Sequence, residues 1–333
     1  MINKVQDKKV IIQTDGGICS QIYFCAFGYY LEDLGYKVKY DLSWFKKYGH
    51  DCINKFVRNY SMELAFPNLK FEIATDDEIE NLKTIQIIAN DIPKNNKSAY
   101  LYGYPKERET AIVKYKEKFI KNFKPIGIDD CSDILKEIKQ NNSCAVHVRL
   151  GDLAVYNPSY GYPTPKEYYI KAINIINRLY PNTKFFFFSE ECNWIKKEII
   201  PNCDIINYQI CDKNGSDKGY LDLYLMTKCD YFITSSGSLA KLAKILSNNN
   251  GTIILDRYDK NIVENFENSI ILNDTILINK KFENNNTTIL PKQETIKKLS
   301  VLEKIFSITK SNDKNHKILT IFGIKIKVKI KKK

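Results

Sequence analysis

The sequence predicts an α/β protein built on Rossmann-like parallel sheets in two domains, with a basic C-terminal tail. Three observations carry that prediction. Short apolar runs alternate with helix-period segments along most of the chain, the pattern of βαβ units. A length of 333 residues exceeds what one core ordinarily serves and fits two domains of roughly 100–200 residues each. Residues 314–333 hold eight Lys and no acid, out of 51 basic and 39 acidic residues in all, so the body is close to charge balance. That balance argues against a nucleic-acid partner for the body.

Composition narrows the class further. Apolar residues make up 44% and charged residues 27%, the proportions of a soluble globular protein. The N-terminus has no apolar stretch of signal-peptide length, and no run approaches the ~18 residues of a membrane span. Nine scattered cysteines without a Cys-x-x-Cys pair fit free thiols in a reducing cytoplasm. Three His with no acid partner at ligand spacing predict no metal site.

In chain order, Val10–Gln13 reads as a first strand, and Gln21 to Leu34 as a helix closed by Gly35. Between them lies Asp15-Gly16-Gly17-Ile18-Cys19-Ser20, where paired glycines either make a tight bend or let a ligand approach the backbone. Residues 38–42 give a second strand. Asp76-Asp77-Glu78 starts a helix, residues 100–104 form a tyrosine-rich strand, and helices follow near 110–123 and 132–140. The tyrosines serve either as packing or as the lining of an acceptor groove. The domain boundary is placed at residues 140/141.

The second half alternates regularly. Strands are predicted at 145–148, 184–188, 204–206, 231–234 and 252–255, the last closing the sheet; helices are predicted at 166–179, 221–228 and 239–246. Ser189 reads as the N-cap of a further helix whose first turn holds Glu190 and Glu191. Ligands of open α/β sheets bind beyond the carboxyl ends of the strands. There this sequence places His147, Arg149 and Asp152 after one strand and Ser235, Ser236 and Ser238 after another. The Arg fork suits a phosphate, serine hydroxyls suit the same group, and Asp222 offers an acceptor to a base or ribose. Together they point to a nucleotide-diphosphate sugar site.

Six blocks in order, Gly16–Gln21, Lys39–Phe45, His147–Asp152, Phe187–Glu191, Asp222–Cys229 and Ser235–Ser238, resemble the bacterial α-1,2-fucosyltransferases, glycosyltransferase family 11. The resemblance covers residues 8–256. It implies a two-domain GT-B-like fold: an acceptor-side domain over 1–140, a GDP-sugar domain over 141–280, and a linker, short helix and basic tail over 281–333. It also implies an inverting transfer of fucose from GDP-fucose to a galactose hydroxyl of a surface glycan, without a metal or other cofactor. By position, Arg149 would hold the β-phosphate, and His147 and Asp222 would lie near the guanosine. Ser189 and Glu190 would also face the donor, Asp152 would fix the loop or nucleotide, and Ser235, Ser236 and Ser238 would line the diphosphate. Gly16, Gly17, Ser20 and Gln21 would form the glycine-rich loop. Asp15 is the first candidate for the catalytic base, with Asp152 second.

The chain departs from the family pattern at three places. Leu150 stands where a second Arg is usual, Cys19-Ser20 where Gly-Asn is usual, and Leu239-Ala240 where an aromatic pair is usual. Two other readings therefore stand beside the first: a glycosyltransferase with another nucleotide-sugar donor, and a catalytically silent glycan- or nucleotide-binding module.

The tail adds a separate expectation. Residues 294–310 read as a short helix, and 318–333 as a strand in which Ile and Val alternate with Lys. Six Lys within residues 325–333, each contributing ~1 kcal/mol at an anionic leaflet, would hold the protein on the inner face of the cytoplasmic membrane. A solvated basic edge strand is the alternative.

Overall fold

The computed structural model describes residues 8–51, 54–88, 97–151 and 163–272, together with the backbone of strands at 306–310, 316–321 and 324–329. Residues 1–283 form one compact unit and 284–333 a second.

The first unit holds two parallel sheets. In the first, β1 (Lys9–Gln13), β2 (Lys37–Asp41), β3 (Gln86–Ile88) and β4 (Ala99–Tyr102) lie in the order β2-β1-β4-β3. The second contains β5 (Ser143–His147), β6 (Lys184–Phe188), β7 (Tyr208–Cys211), β8 (Tyr231–Ile233), β9 (Ile253–Leu255) and β10 (Ser269–Ile271), in the order β10-β9-β8-β5-β6-β7. Every pairing in it is also parallel. Parallel strands covered on both faces read as unbroken apolar runs. Accordingly β5 is buried at all five positions, and Phe185 to Phe188 are buried throughout. Two parallel α/β sheets in one chain are the GT-B-like arrangement expected from the sequence.

Strand order identifies where a ligand can sit. From β5 the chain moves outward through β6 and β7, then returns to the other side of β5 as β8 and continues to β9 and β10. The reversal leaves a crevice between the carboxyl ends of β5 and β8, the switch point at which such sheets bind ligands. In the first sheet the chain passes from β1 to β2, then crosses to the far edge as β3 and comes back beside β1 as β4, which puts the switch point between β1 and β4.

Helix α1 (Ile18–Asp33) runs from β1 and ends before Gly35, whose φ of +84° suits a residue without a Cβ. It packs on the helix Arg108–Asn122, and one apolar cluster joins Val10 and Phe27 of the first half to Phe186 and Leu242 of the second. Phe123 meets Tyr224 edge-on at 5.1 Å between ring centroids. A second cluster, including Val146, Tyr169, Phe187 and Ile195, covers the opposite face of the larger sheet.

Local expectations fail at five places. Ser189 accepts from the backbone N–H of Glu191 and so closes a turn rather than capping a helix, which starts only at Cys192. Residues 204–206 are not a strand: Ile206 is fully exposed and the strand starts at Tyr208, where pairing with Phe185 is available. The strand at 253–255 does not close the sheet, because β10 pairs outside it. Phe306–Lys310, expected to end a helix, is β11, paired antiparallel with β12 (His316–Ile321); the rest of 294–310 lies outside the described residues. β12 pairs in turn with β13 (Ile324–Lys329), so the predicted single strand is a hairpin. Its register puts Lys325, Lys327 and Lys329 on one face and Ile324, Ile326 and Val328 on the other. No helix of the described residues is long and apolar enough to cross a membrane.

Candidate active site

The switch point of the larger sheet collects His147 and Arg149 from the end of β5 and the serine loop from the end of β8. His147 is buried, and its Nδ1 shares a 2.8 Å hydrogen bond with Ser235 Oγ. Burial, with the Arg149 charge adding to it, lowers the imidazole to about 3, so His147 is neutral at physiological pH. Gly237 is the floor under both side chains. A Cβ built there would lie 3.1 Å from Arg149 Cδ, 3.2 Å from Arg149 Nη1 and 3.4 Å from His147 Cε1. The missing side chain is what lets the guanidinium lie against the loop.

The serines have different parts. Ser235 is fully buried and serves the imidazole. Ser236 donates its backbone N–H to Thr164 Oγ1 at 2.8 Å, while Thr164 donates to the buried Asp256 carboxylate at 3.3 Å. The Ser236 hydroxyl is buried without a hydrogen-bond partner among the described residues. Ser238 precedes the seven-residue helix Leu239–Ile245 and makes no side-chain cap bond. It lies beside the Cys19 thiol, which burial pushes to about 11 against the opposing influences of Ser238, Arg149 and Arg58. The glycine-rich loop of the first sheet and the serine loop of the second therefore meet.

At the switch point of the first sheet, Tyr104 donates to Asp15 Oδ1 at 2.7 Å, and its hydroxyl lies 3.3 Å from Ser20 Oγ. Burial raises the Asp15 carboxyl, and the Tyr104 bond partly offsets that shift. Gly16 has φ +73°, and a Cβ on it would come within 2.8 Å of Ser20 Oγ, so both backbone and space require glycine. Gln21 is fully buried. Its Nε2 donates to the carbonyls of Gly16 and Asn59, and its Oε1 accepts from the Ser61 N–H. It is the clamp of the loop.

A third group joins the segment after β7 to the helix Gly219–Met226. Asn214 Nδ2 donates to Asp222 Oδ1 at 2.7 Å. Burial, with Glu190 contributing, still raises Asp222 to about 7. Partial burial raises Glu190 as well, opposed by Arg58 and reinforced by Asp217. Asp152 lies outside the described residues, and no group of three or more metal-ligating side chains occurs among those described.

Sequence reasoning missed Arg58, Phe56, Gly237 and Thr164 as site residues. Gly237 was legible as the break in a serine run. Arg58 and Phe56 lie in a segment with no periodic pattern, and Thr164 in a proline-rich loop, so nothing local marks them.

The model of glycosyl transferase family 11 matches residues 53–279, about two thirds of the chain, including β5, β8 and the loops at their ends. The chain belongs to glycosyl transferase family 11. A curated Escherichia coli protein, alpha-1,2-colitosyltransferase, is 25% identical over 257 residues, covering 69% of this chain and 85% of the relative. Among solved structures, NodZ alpha-1,6-fucosyltransferase soaked with GDP-fucose is 14% identical over 73% of this chain and 93% of its own, with a TM-score of 0.43. Arabidopsis thaliana FUT1 in complex with GDP is 12% identical over 77% of this chain and 72% of its own, with a TM-score of 0.45. Family membership makes the crevice between β5 and β8 the candidate donor site of a glycosyltransferase.

Proposed function

We propose that this family 11 chain moves fucose from GDP-fucose to a galactose-type hydroxyl of a surface glycan, forming an α-1,2 linkage with inversion and without a metal. The observation that carries the reading is the packing of Arg149 and neutral His147 on Gly237 at the β5/β8 switch point, opposite the loop that holds Asp15. Diphosphate is the group a guanidinium fork at such a crevice suits best. Asp222 and Glu190 offer carboxylates to the N–H donors of a guanine ring.

The mechanism follows from those parts. The acceptor hydroxyl attacks the anomeric carbon from the face opposite the diphosphate. The bond from that carbon to the β-phosphate oxygen breaks, and its electron pair stays on GDP. Arg149 and the Ser238 loop stabilise the growing charge, a preorganised effect worth ~3–4 kcal/mol for one well-placed donor. Asp15 takes the hydroxyl proton; its raised pKa moves it toward the range in which a carboxylate is an effective base. Tyr104 orients Asp15.

A second donor is favoured by one observation, the name of the E. coli relative: a colitosyl donor in place of the fucosyl one. The Lys-rich face of β13 supports placing the enzyme on the anionic cytoplasmic surface of the membrane, where surface glycans are assembled.

Thermal stabilisation by GDP, GDP-fucose, GDP-mannose and UDP-galactose, with Arg149→Ala as control, tests the reading. Saturation at a hundredfold excess over Kd adds ~2.7 kcal/mol. Stabilisation by GDP and GDP-fucose that vanishes in Arg149→Ala is expected. Stabilisation by UDP-galactose alone, or by none of the four, overturns the guanosine donor.

A further inference from the structure

Segment 54–61 lies against both switch-point loops, and it carries a cation that no motif marks. Gln21 binds Asn59 and Ser61 and so fixes the segment to the start of α1. Arg58 donates its backbone N–H to the Gly49 carbonyl at 2.8 Å. Its side chain lies along Gly17, where a Cβ would sit 3.6 Å from Cδ and 3.7 Å from Nε. Phe56, two residues earlier, is buried under Gly151, where a Cβ would meet its ring at 3.1 Å. The same short segment thus touches the glycine-rich loop with Arg58 and the Arg149 loop with Phe56.

The charges agree with that placement. Arg58 lies along Gly17 of the glycine-rich loop and Arg149 along Gly237 of the serine loop, and both guanidiniums oppose the rise of the Cys19 thiol where those loops meet. Glu190, which follows β6, also feels Arg58, with Lys55 adding to it. Lys55 itself pairs with Glu191 at 3.2 Å. Two like charges held on either side of a loop junction, with acids to one side, make a position at which a di-anion is stabilised from both flanks.

We propose that Arg58 is a second phosphate-binding residue, closing on the diphosphate of the donor from the first sheet while Arg149 holds it from the second. The proposal rests on the GDP-sugar reading above. It assigns the two arginines to different elements, so the diphosphate would tie the sheets together. Glu190 would hold the guanidinium in place when no nucleotide is bound. Gly17 is then needed for the approach of an arginine side chain as much as for that of a ligand.

The test is calorimetric binding of guanosine, GMP and GDP to the full chain, wild type against Arg58→Gln and Arg58→Lys. Loss of one charge-assisted hydrogen-bonding partner lowers affinity about 10- to 150-fold. Arg58→Gln is expected to lose that factor for GDP while guanosine binding stays within twofold, and Arg58→Lys to recover part of it. Equal losses for guanosine and GDP would make Arg58 a structural brace and overturn the proposal, as would unchanged GDP affinity. Failure of the wild type to bind any guanosine nucleotide would instead remove the donor reading itself. Should Arg58→Gln unfold, Arg58→Lys supplies the measurement by itself: weaker GDP binding with guanosine binding within twofold is expected, and unchanged GDP affinity or an equal loss for guanosine contradicts the proposal.

Discussion

Gly237→Ala is the substitution with the most direct consequence. The added methyl would lie 3.1 Å from Arg149 Cδ and 3.2 Å from Nη1, closer than a carbon–carbon or carbon–nitrogen approach normally allows. It would also lie 3.4 Å from His147 Cε1, an ordinary separation that the buried ring tolerates. His147 is held by Ser235, whereas the Arg149 side chain is long and partly exposed and gives way first. The guanidinium therefore moves by a few tenths of an ångström or more. Overpacking of this kind costs ~1–3 kcal/mol of stability, toward the low end where a flexible chain gives way. A guanidinium displaced far enough to break its hydrogen bond to phosphate forfeits ~1.5–3 kcal/mol of binding, about 10- to 150-fold in Kd. Calorimetric titration of GDP, beside an unfolding curve for each protein, separates the two effects. The variant is expected to melt within a few degrees of wild type and bind GDP at least tenfold more weakly. A folded Gly237→Ala protein that binds GDP within twofold of wild type would refute the placement of Arg149 on the diphosphate.

Four further outcomes are expected. Asp222 keeps its proton up to about pH 7 in the fold but only to about pH 4 when unfolded. The folded state therefore binds more protons in that window, and stability falls as pH rises through it; denaturant curves should show the slope, and Asp222→Asn should flatten it. Because only the ionised carboxylate offers both oxygens as charged acceptors to N–H donors, GDP affinity should rise with pH around 7 in the wild type and lose that dependence in Asp222→Asn. Tyr104→Phe removes the bond that offsets the rise of the Asp15 carboxyl; the acidic limb of kcat should move to higher pH with donor KM nearly unchanged, and an unmoved limb argues against Asp15 as base. Replacing Lys325, Lys327 and Lys329 by Glu reverses the charge of one face of β13; co-sedimentation with phosphatidylserine vesicles should disappear while transfer to a water-soluble acceptor is retained.

The parts of the fold that were legible in the sequence are those set by burial on both faces. Cys144 to Val148 and Phe185 to Phe188 have no exposed position because parallel strands leave none. The helices at 132–140 and 166–179 match their predicted bounds because each carries an apolar stripe bounded by Ser or Pro and by Asn or Tyr. The end of the predicted tail helix fails for the opposite reason: Ile and Phe spacing near 306–310 fits either period, and only the pairing with β12 decides it.

The candidate site was legible wherever its residues follow a strand. His147, Arg149 and the serine loop are all adjacent to apolar runs. What separates the three serines is three-dimensional: Ser235 faces His147, the Ser236 N–H faces Thr164, and Ser238 faces Cys19. A run of serines cannot show that division of work. Arg58 was invisible because its position depends on Gln21, some forty residues earlier, gripping the backbone beyond it.

Sugar transfer from GDP-fucose where the two switch-point loops meet is the proposed activity. Incubation of the purified chain with GDP-fucose and a galactose-terminated acceptor, with the product's linkage and anomeric configuration read by NMR, addresses it directly. An α-1,2-fucosylated product, lost in Arg149→Ala and in Asp15→Asn but with GDP binding lost only in the former, is the expected result. GDP binding without transfer to any galactose acceptor, or transfer that survives Arg149→Ala, would contradict it.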